Sequence, residues 1–370
     1  MKRKMCPLIL VAILVMGIAA PSLVFAAKPK IVAHAKGALQ IDSQLDAMMR
    51  NITEVDWAVV TGELKSTDLA GASMLIMAKV DYSLNYTKAE LDAIKAWYDT
   101  GGKGIWVAGD SDYLPDQQPR IPTANAVLEK IGSVLRFEDC EAVDPVSSAG
   151  ADYRVLGLSE KCDKEVSFLV AGVTRALFHG PGIVVGYSGG KYYKLESEKP
   201  AGVYVVMATS INGRCDDLNP PKPAIHTAGE KGTFPLMAVQ LDYAKKNVII
   251  ATSDGPFDHY DAMYMPELHN YKRYAVDYPQ QGARLFKNIV DFVLYYAGTM
   301  MDKQNQITTI QGQVTTLQGE KTTLSGRITA LEKDVADLKA SVGTWQGISA
   351  ATFVLGLVIG VAVVYLMKRK

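Results

Sequence analysis

Two periodicities divide the chain. From Lys30 to about Gly298, short runs rich in β-branched residues alternate with segments whose apolar positions recur every three or four residues. Beyond that point a single three-and-four pattern continues without a break. The runs 31–35, 57–61, 74–78, 105–108, 204–209 and 248–252 predict buried strands, and 88–98, 124–131 and 283–296 predict helices. Strands interleaved with helices imply an α/β layer fold around a mostly parallel sheet with flanking helices. One helix start is marked: Thr87-Lys-Ala-Glu90 is a capping box, and Gly101-Gly102 supplies the stop.

The later pattern is stricter. Ile307, Ile310, Val314, Leu317, Leu324, Ile328, Leu331, Val335, Leu338 and Val342 keep a 3.5-residue period, interrupted only by Lys321, with no proline. A lone amphipathic helix on a globular surface has no reason to hold that period, so 302–343 is expected to be a coiled-coil stalk. With Ile307 at position a, Arg327 and Asp334 fall at g, and Glu332 and Lys339 at the following e positions. The interchain pairs Arg327–Glu332 and Asp334–Lys339 are then complementary in a parallel bundle. β-branched a positions, Leu at d and the polar Lys321 favour a dimer, whereas the spacing of Arg327, Ile328, Leu331 and Glu332 resembles a signature of trimers, so both states stay open. About 40 helical residues would extend roughly 60 Å.

The two ends explain what a stalk is for. Lys2, Arg3 and Lys4 precede an apolar run and a small-residue site, so 1–26 is expected to be a signal peptide cleaved after Ala26 or Ala27. Segment 346–367 is apolar and uncharged, with Trp345 and Tyr365 at its flanks and a basic tail, 368–370, behind it. This predicts a single transmembrane helix with a cytoplasmic C-terminus, which leaves 28–298 outside the cell.

Lys plus Arg equal Asp plus Glu, 39 each, but six of the cations lie in the leader and the tail. The remainder is mildly acidic, which argues against a nucleic-acid partner. Cys140, Cys162 and Cys215 would be exported; Cys140 with Cys162 is the preferred disulfide because the two bracket one excursion of the chain, which leaves Cys215 free or paired differently, since connectivity is not readable from sequence. Asn51 and Asn85 begin glycosylation acceptor triplets.

The stretches "LAGASMLIMAK", "YTKAELDAIKAWYDTGGKGIWVAGDSD" and "TANAVLEKIGSVLRF" resemble the class I glutamine amidotransferase-like superfamily. The match is to its non-amidotransferase branch, found in gliding-motility and intraflagellar-transport proteins; "VAGVTRALFHGPGIVVG", "NVIIATSDGPFD" and "ARLFKNIVDFVLYYAG" fit the later part of such domains. The resemblance implies an amidotransferase-like or flavodoxin-like domain over 28–298. Catalytic members carry a cysteine nucleophile between glycines after the strand that corresponds to 105–108, with a histidine and a carboxylate later in the chain. Here the turn reads Ala108-Gly109-Asp110-Ser111-Asp112, and Val239-Gln240-Leu241-Asp242 lacks the later histidine, so amidotransferase activity is not expected.

Asp110, Ser111 and Asp112 follow one predicted strand, and Asp254, Asp258 and His259 follow another, at the carboxyl ends where open α/β sheets bind ligands. An oxygen-rich group of this kind suits Ca²⁺ or Mg²⁺ if enough members converge, although aspartates also cap turns and helix starts routinely. No cofactor is otherwise implied. The expectation is a non-enzymatic, single-pass cell-surface binding or scaffold protein: a surface-layer anchor, or an accessory component of an envelope transport or motility complex. Its partners would be itself, the membrane and other envelope proteins. The alternatives are an exported hydrolase built on Asp110, Ser111 and Asp112 with one of the histidines, and a solute-capture protein for a transporter.

Overall fold

The computed structural model describes residues 28–36, 43–77, 85–113, 120–257, 263 and 279–368. The expected leader 1–26 lies outside them, as do Arg369 and Lys370. The chain divides into two units, Met1–Met301 and Asp302–Lys370.

In the first unit the leading strands are β1 (Lys30–His34), β2 (Asp56–Val60), β3 (Ala72–Met77) and β4 (Gly104–Ala108). Next come β5 (Leu135–Glu138), β6 (Glu141–Val143), β7 (Arg154–Leu158), β8 (Arg175–His179), β9 (Ile183–Ser188) and β10 (Lys191–Tyr193). The last five are β11 (Val203–Ala208), β12 (Gly213–Asp216), β13 (Lys231–Gly232), β14 (Pro235–Asp242) and β15 (Asn247–Thr252). The helices are α1 (Ser43–Asn51), the single turn α2 (Ser66–Leu69), α3 (Lys88–Tyr98), α4 (Arg120–Lys130) and α5 (Gly282–Met367), whose first turns belong to this unit.

Among the described residues nine strands form one sheet in the order β2-β1-β3-β4-β15-β14-β11-β7-β8. The sheet is mixed rather than mostly parallel. Pairs from β2 to β15 are parallel, and pairs from β15 to β8 are antiparallel. The reason is connection length: only residues 243–246 separate β14 from β15, and a link that short joins antiparallel strands, whereas a parallel return needs a crossover. Two small sheets, β10-β9-β5 and β13-β12-β6, complete the strands described in this unit.

The inner parallel strands β1, β3, β4 and β15 are buried on both faces, whereas the edge strand β2 is partly exposed, and the alternation of side chains sends the buried residues to one of two cores. Ile31, Ala33, Met74, Ile76 and Trp106 pack with Leu45 and Met48 of α1 and Leu285, Phe286 and Ile289 of α5. Val32, Leu75, Ile105 and Val107 pack with Ile94 and Trp97 of α3 and Val127 and Leu128 of α4. The capping box forms as the sequence indicates: Glu90 N–H donates to Thr87 Oγ1 at 3.2 Å, and Thr87 N–H donates to Glu90 Oε2 at 2.8 Å. Glu90 is fully buried and also accepts from Leu64 N–H (3.0 Å) and Lys36 Nζ (2.5 Å), so the cap ties α3 to the end of β1 and to the chain before α2.

The second unit is helical from Asp302 to Met367. Its ten apolar seam residues, Ile307 through Val342, each expose between 45% and 64% of their surface, Ile328, Leu331, Val335 and Leu338 among them, and Arg327 and Glu332 beside them are exposed too. Gly312, Gly319 and Gly326 recur every seven residues away from that seam, and several threonines return their hydroxyls to the helix, Thr315 to Gln311 O at 3.0 Å and Thr322 to Gln318 O at 3.0 Å. The same helix contains an 18-residue window of mean hydropathy 2.5, long and apolar enough to cross a membrane.

Candidate functional site

β4 is buried throughout, and its sequence ends in residues that can turn sharply at a crowded sheet edge. Gly109 N–H donates to Thr252 O at 2.7 Å, which carries the β4–β15 pairing one residue further. The Phe137 ring lies directly against Gly109: a Cβ there would sit 2.6 Å from the ring, so no larger residue fits. The next three residues are buried polar groups, and the fold answers each differently.

Asp110 Oδ1 accepts the Ser111 N–H at 2.9 Å, and its Oδ2 is paired with Arg120 at the start of α4. Asp112 Oδ2 accepts two backbone N–H groups, from Leu218 (2.8 Å) and Asn219 (3.0 Å), while Asn219 Nδ2 donates back to Asp112 O at 2.7 Å. Asp254, just past β15, accepts Gly255 N–H (2.8 Å) and His179 N–H (2.8 Å). Each aspartate thus anchors a loop. Asp258 and His259 lie outside the described residues. Among the described residues no three His, Cys, Asp or Glu side chains are grouped to hold a metal ion.

The loop from β8 to β9, His179-Gly180-Pro181-Gly182, closes over this turn. Pro181 O accepts Ala142 N–H at 2.7 Å, and a Cβ on Gly182 would stand 2.6 Å from Asp110 O. Gly182→Ala is therefore expected to lower the stability of the first unit by about 1–3 kcal/mol, since backbone faces the added methyl. Gly62→Ala, where nothing lies within 4 Å, should stay within about 0.5 kcal/mol. Denaturant unfolding of residues 28–298 reads both.

Under that loop the structure adds a residue the sequence did not single out. Glu141 Oε1 and Ser111 Oγ flank Gly180, 3.7 and 3.8 Å from where its Cβ would be. Ser111 Oγ and Asp112 Oδ1 are buried with no hydrogen-bond partner among the described residues. Burial pushes the Glu141 carboxyl up to about 8, with Asp112, Asp216, Asp110 and Asp152 adding repulsion. Burial also raises Asp112, helped by Asp217 and opposed by the two N–H groups it accepts. The arrangement is a buried acidic cluster in which the raised Glu141 carboxyl favours its protonated form at neutral pH and can donate a hydrogen bond. Among the described residues no histidine stands within hydrogen-bond reach of Ser111 Oγ.

The described histidines are engaged elsewhere. His34 is buried at the end of β1 with Nε2 2.9 Å from Gly62 O. His179 packs edge-on against Tyr153, ring centroids 5.5 Å apart. His226 is clamped between two carboxylates, Nδ1 on Glu138 and Nε2 3.0 Å from Glu196 Oε1. Burial alone would lower its pKa, but the hydrogen bonds to Glu138 and Glu196 outweigh it and push His226 up to about 9, so the imidazolium is charged at neutral pH. Glu138 also accepts Ile225 N–H (2.6 Å) and His226 N–H (2.9 Å), which fastens the loop between β12 and β13 to β5.

Cys140, Cys162 and Cys215 are all unbonded in this structure, so the expected Cys140–Cys162 bridge is not formed in it. Cys140 is fully buried beside β12, whereas Cys162 follows a 3₁₀ turn, Ser159–Lys161, with its Sγ 3.5 Å from Asp163 O. The β6–β12 pairing brings the strand that follows Cys140 against the strand that carries Cys215. Asn51 and Asn85 are exposed, and the Asn85 side chain accepts from Thr123 Oγ1 at 2.7 Å.

No family model and no curated protein matches the chain. Solved structures are similar to it at low identity. They include the N-terminal domain of mmIFT52, 12% identical with a TM-score of 0.47, covering 73% of this chain and 97% of that one. A putative GMP synthase component from Thermoplasma acidophilum is 12% identical with a TM-score of 0.33, covering 75% and 98%. PurLQS from Thermotoga maritima is 11% identical with a TM-score of 0.31, covering 72% and 99%. At these identities and scores none of them assigns the chain to a family or a chemistry.

Proposed function

We propose that the chain is a membrane-anchored, non-enzymatic binding or scaffold protein of the cell envelope, with an amidotransferase-like domain carried outside the cell on a self-associating stalk. The observation that supports this most is the exposed seam from Ile307 to Val342, in phase with a heptad, in the same helix as an apolar window of membrane-spanning length. Apolar residues that keep a 3.5-residue period while exposed on a single chain call for identical seams to cover them. A parallel arrangement fits both the Arg327–Glu332 pairing and anchors in one membrane.

The turn after β4 is consistent with a domain that binds rather than reacts. Its aspartates hold loops in place, and among the described residues Ser111 Oγ has no histidine bonded to it. Light scattering tests the stalk: residues 28–343 are expected to form a dimer or trimer, and residues 28–298 a monomer. A monomeric 28–343 would remove the self-association half of the proposal.

A further inference from the structure

We infer that Cys140 and Cys215, unbonded in this structure, are joined as a disulfide pair by a disulfide-bearing oxidant as the chain folds outside the cell, and that the bond staples β6 to β12. The inference rests on the export reading for its compartment, and on the strand register for its geometry.

β6 and β12 pair antiparallel, with Cys215 opposite Ala142 and Asp216 opposite Glu141. Cys140 immediately precedes β6, and continuing the register by one residue would make it the diagonal neighbour of Cys215. Just before β6 the chain turns back on itself, with Cys140 N–H on Glu138 O at 3.0 Å. Both cysteines are fully buried in one core with Ala142, Phe178 and Phe234. The Cys140 thiol has the Cys215 thiol as its side-chain partner, and burial followed by that neighbour holds its pKa well above the usual thiol range. Cys162 is only partly buried and faces Asp163.

Two protonated thiols enclosed in an apolar core exchange slowly, so the bond has to form before β6 and β12 close. One cysteine thiolate attacks a sulfur of the oxidant, whose other sulfur leaves with the electron pair and takes a proton. The second cysteine thiolate then attacks the mixed disulfide, forming the Cys140–Cys215 bond and releasing the second oxidant thiol with its proton. Two protein thiols are oxidised, one oxidant disulfide is reduced to two thiols, and the balance is complete.

The position of the staple gives it a role. Glu141 follows Cys140, while Leu218 and Asn219, whose N–H groups hold Asp112, lie three and four residues after Cys215. Closing the bond fixes Glu141 and the chain that holds Asp112 relative to one another.

The test uses the full chain in two arms. In the first, protein extracted from its own membrane is denatured, alkylated without reduction, and mapped by mass spectrometry together with its N-terminus. In the second, purified full chain is unfolded, reduced, and refolded in detergent with a low-molecular-weight thiol/disulfide mixture before the same mapping. A Cys140–Cys215 linked peptide with Cys162 alkylated is expected in both arms. Reductant should lower the Tm by roughly 5–10 °C, an effect that the Cys140→Ala/Cys215→Ala double variant should not show. Linkage through Cys162 instead, or three alkylated thiols in both arms, overturns the pairing. Linkage on refolding, with a reduced native protein that still carries residues 1–26, supports the pairing and overturns the export reading.

Discussion

Replacing His226 by alanine is expected to destabilise the first unit by about 3–5 kcal/mol, the usual cost of removing one partner from a buried ion pair. Glu138 would be left fully buried and charged, without the imidazolium it faces, and Glu196 would lose its contact as well. The signature that separates this from simple loss of packing is its pH dependence. The folded pKa of His226, about 9, lies above its ordinary 6.5. Its contribution is therefore fully present below pH 6.5 and is lost as the pH rises through about 9. Glu141 adds a second, lower window: a carboxyl raised from 4.5 to about 8 favours the fold while protonated, and that preference disappears as the pH climbs from 4.5 through 8. The wild-type unit should thus lose stability in two overlapping steps. Denaturant unfolding across pH 4 to 10 should show that His226→Gln abolishes the upper step and keeps the lower one. An unchanged upper step would mean that the Glu138–His226–Glu196 cluster is neutral in the fold.

Leu331→Asp in residues 28–343 is expected to weaken self-association by about a thousandfold or more. Removing a packed leucine costs about 2–5 kcal/mol at each seam position, every chain in the bundle brings the same lesion, and each 1.4 kcal/mol is tenfold in affinity. Lys333→Ala, two residues on and away from the seam, should leave association unchanged. Sedimentation equilibrium gives the association constant, and far-ultraviolet circular dichroism on the same samples gives the helix content. Equal association of Leu331→Asp and wild type would show that the heptad stripe is not the contact.

The parallel half of the sheet was legible because β1, β3, β4 and β15 are continuous buried runs, and because the Thr87–Glu90 cap announces α3 before the chain reaches β4. The antiparallel half was not. β6, with three residues, and β12, with four that include an arginine and an aspartate, are too short and too mixed to show a period, and their pairing fixes them more than their composition does. The same limit shaped the site. Asp110, Asp112 and Asp254 could be named because they follow recognisable strands. Glu141 could not, since it lies on β6, and His226 could not be joined to Glu138 because 88 residues separate them. The burial of Cys140 with Cys215 in one cluster was hidden for that reason too: a contact across a register is invisible until the register is known.

Gly312, Gly319 and Gly326 occupy one outer position of three successive heptads, and glycine weakens a helix by about 1 kcal/mol relative to alanine at each such place. Threonine, abundant between them, is also a modest helix former. A solitary copy of this segment therefore has little reason to stay wound, and pairing with its own kind is what would make it rigid. Stiffness then becomes a matter of crowding: sparse molecules on a membrane would carry a slack tether, and dense ones a row of posts. The rise of helix content with protein concentration, taken from the same circular dichroism series, measures how sharply one becomes the other.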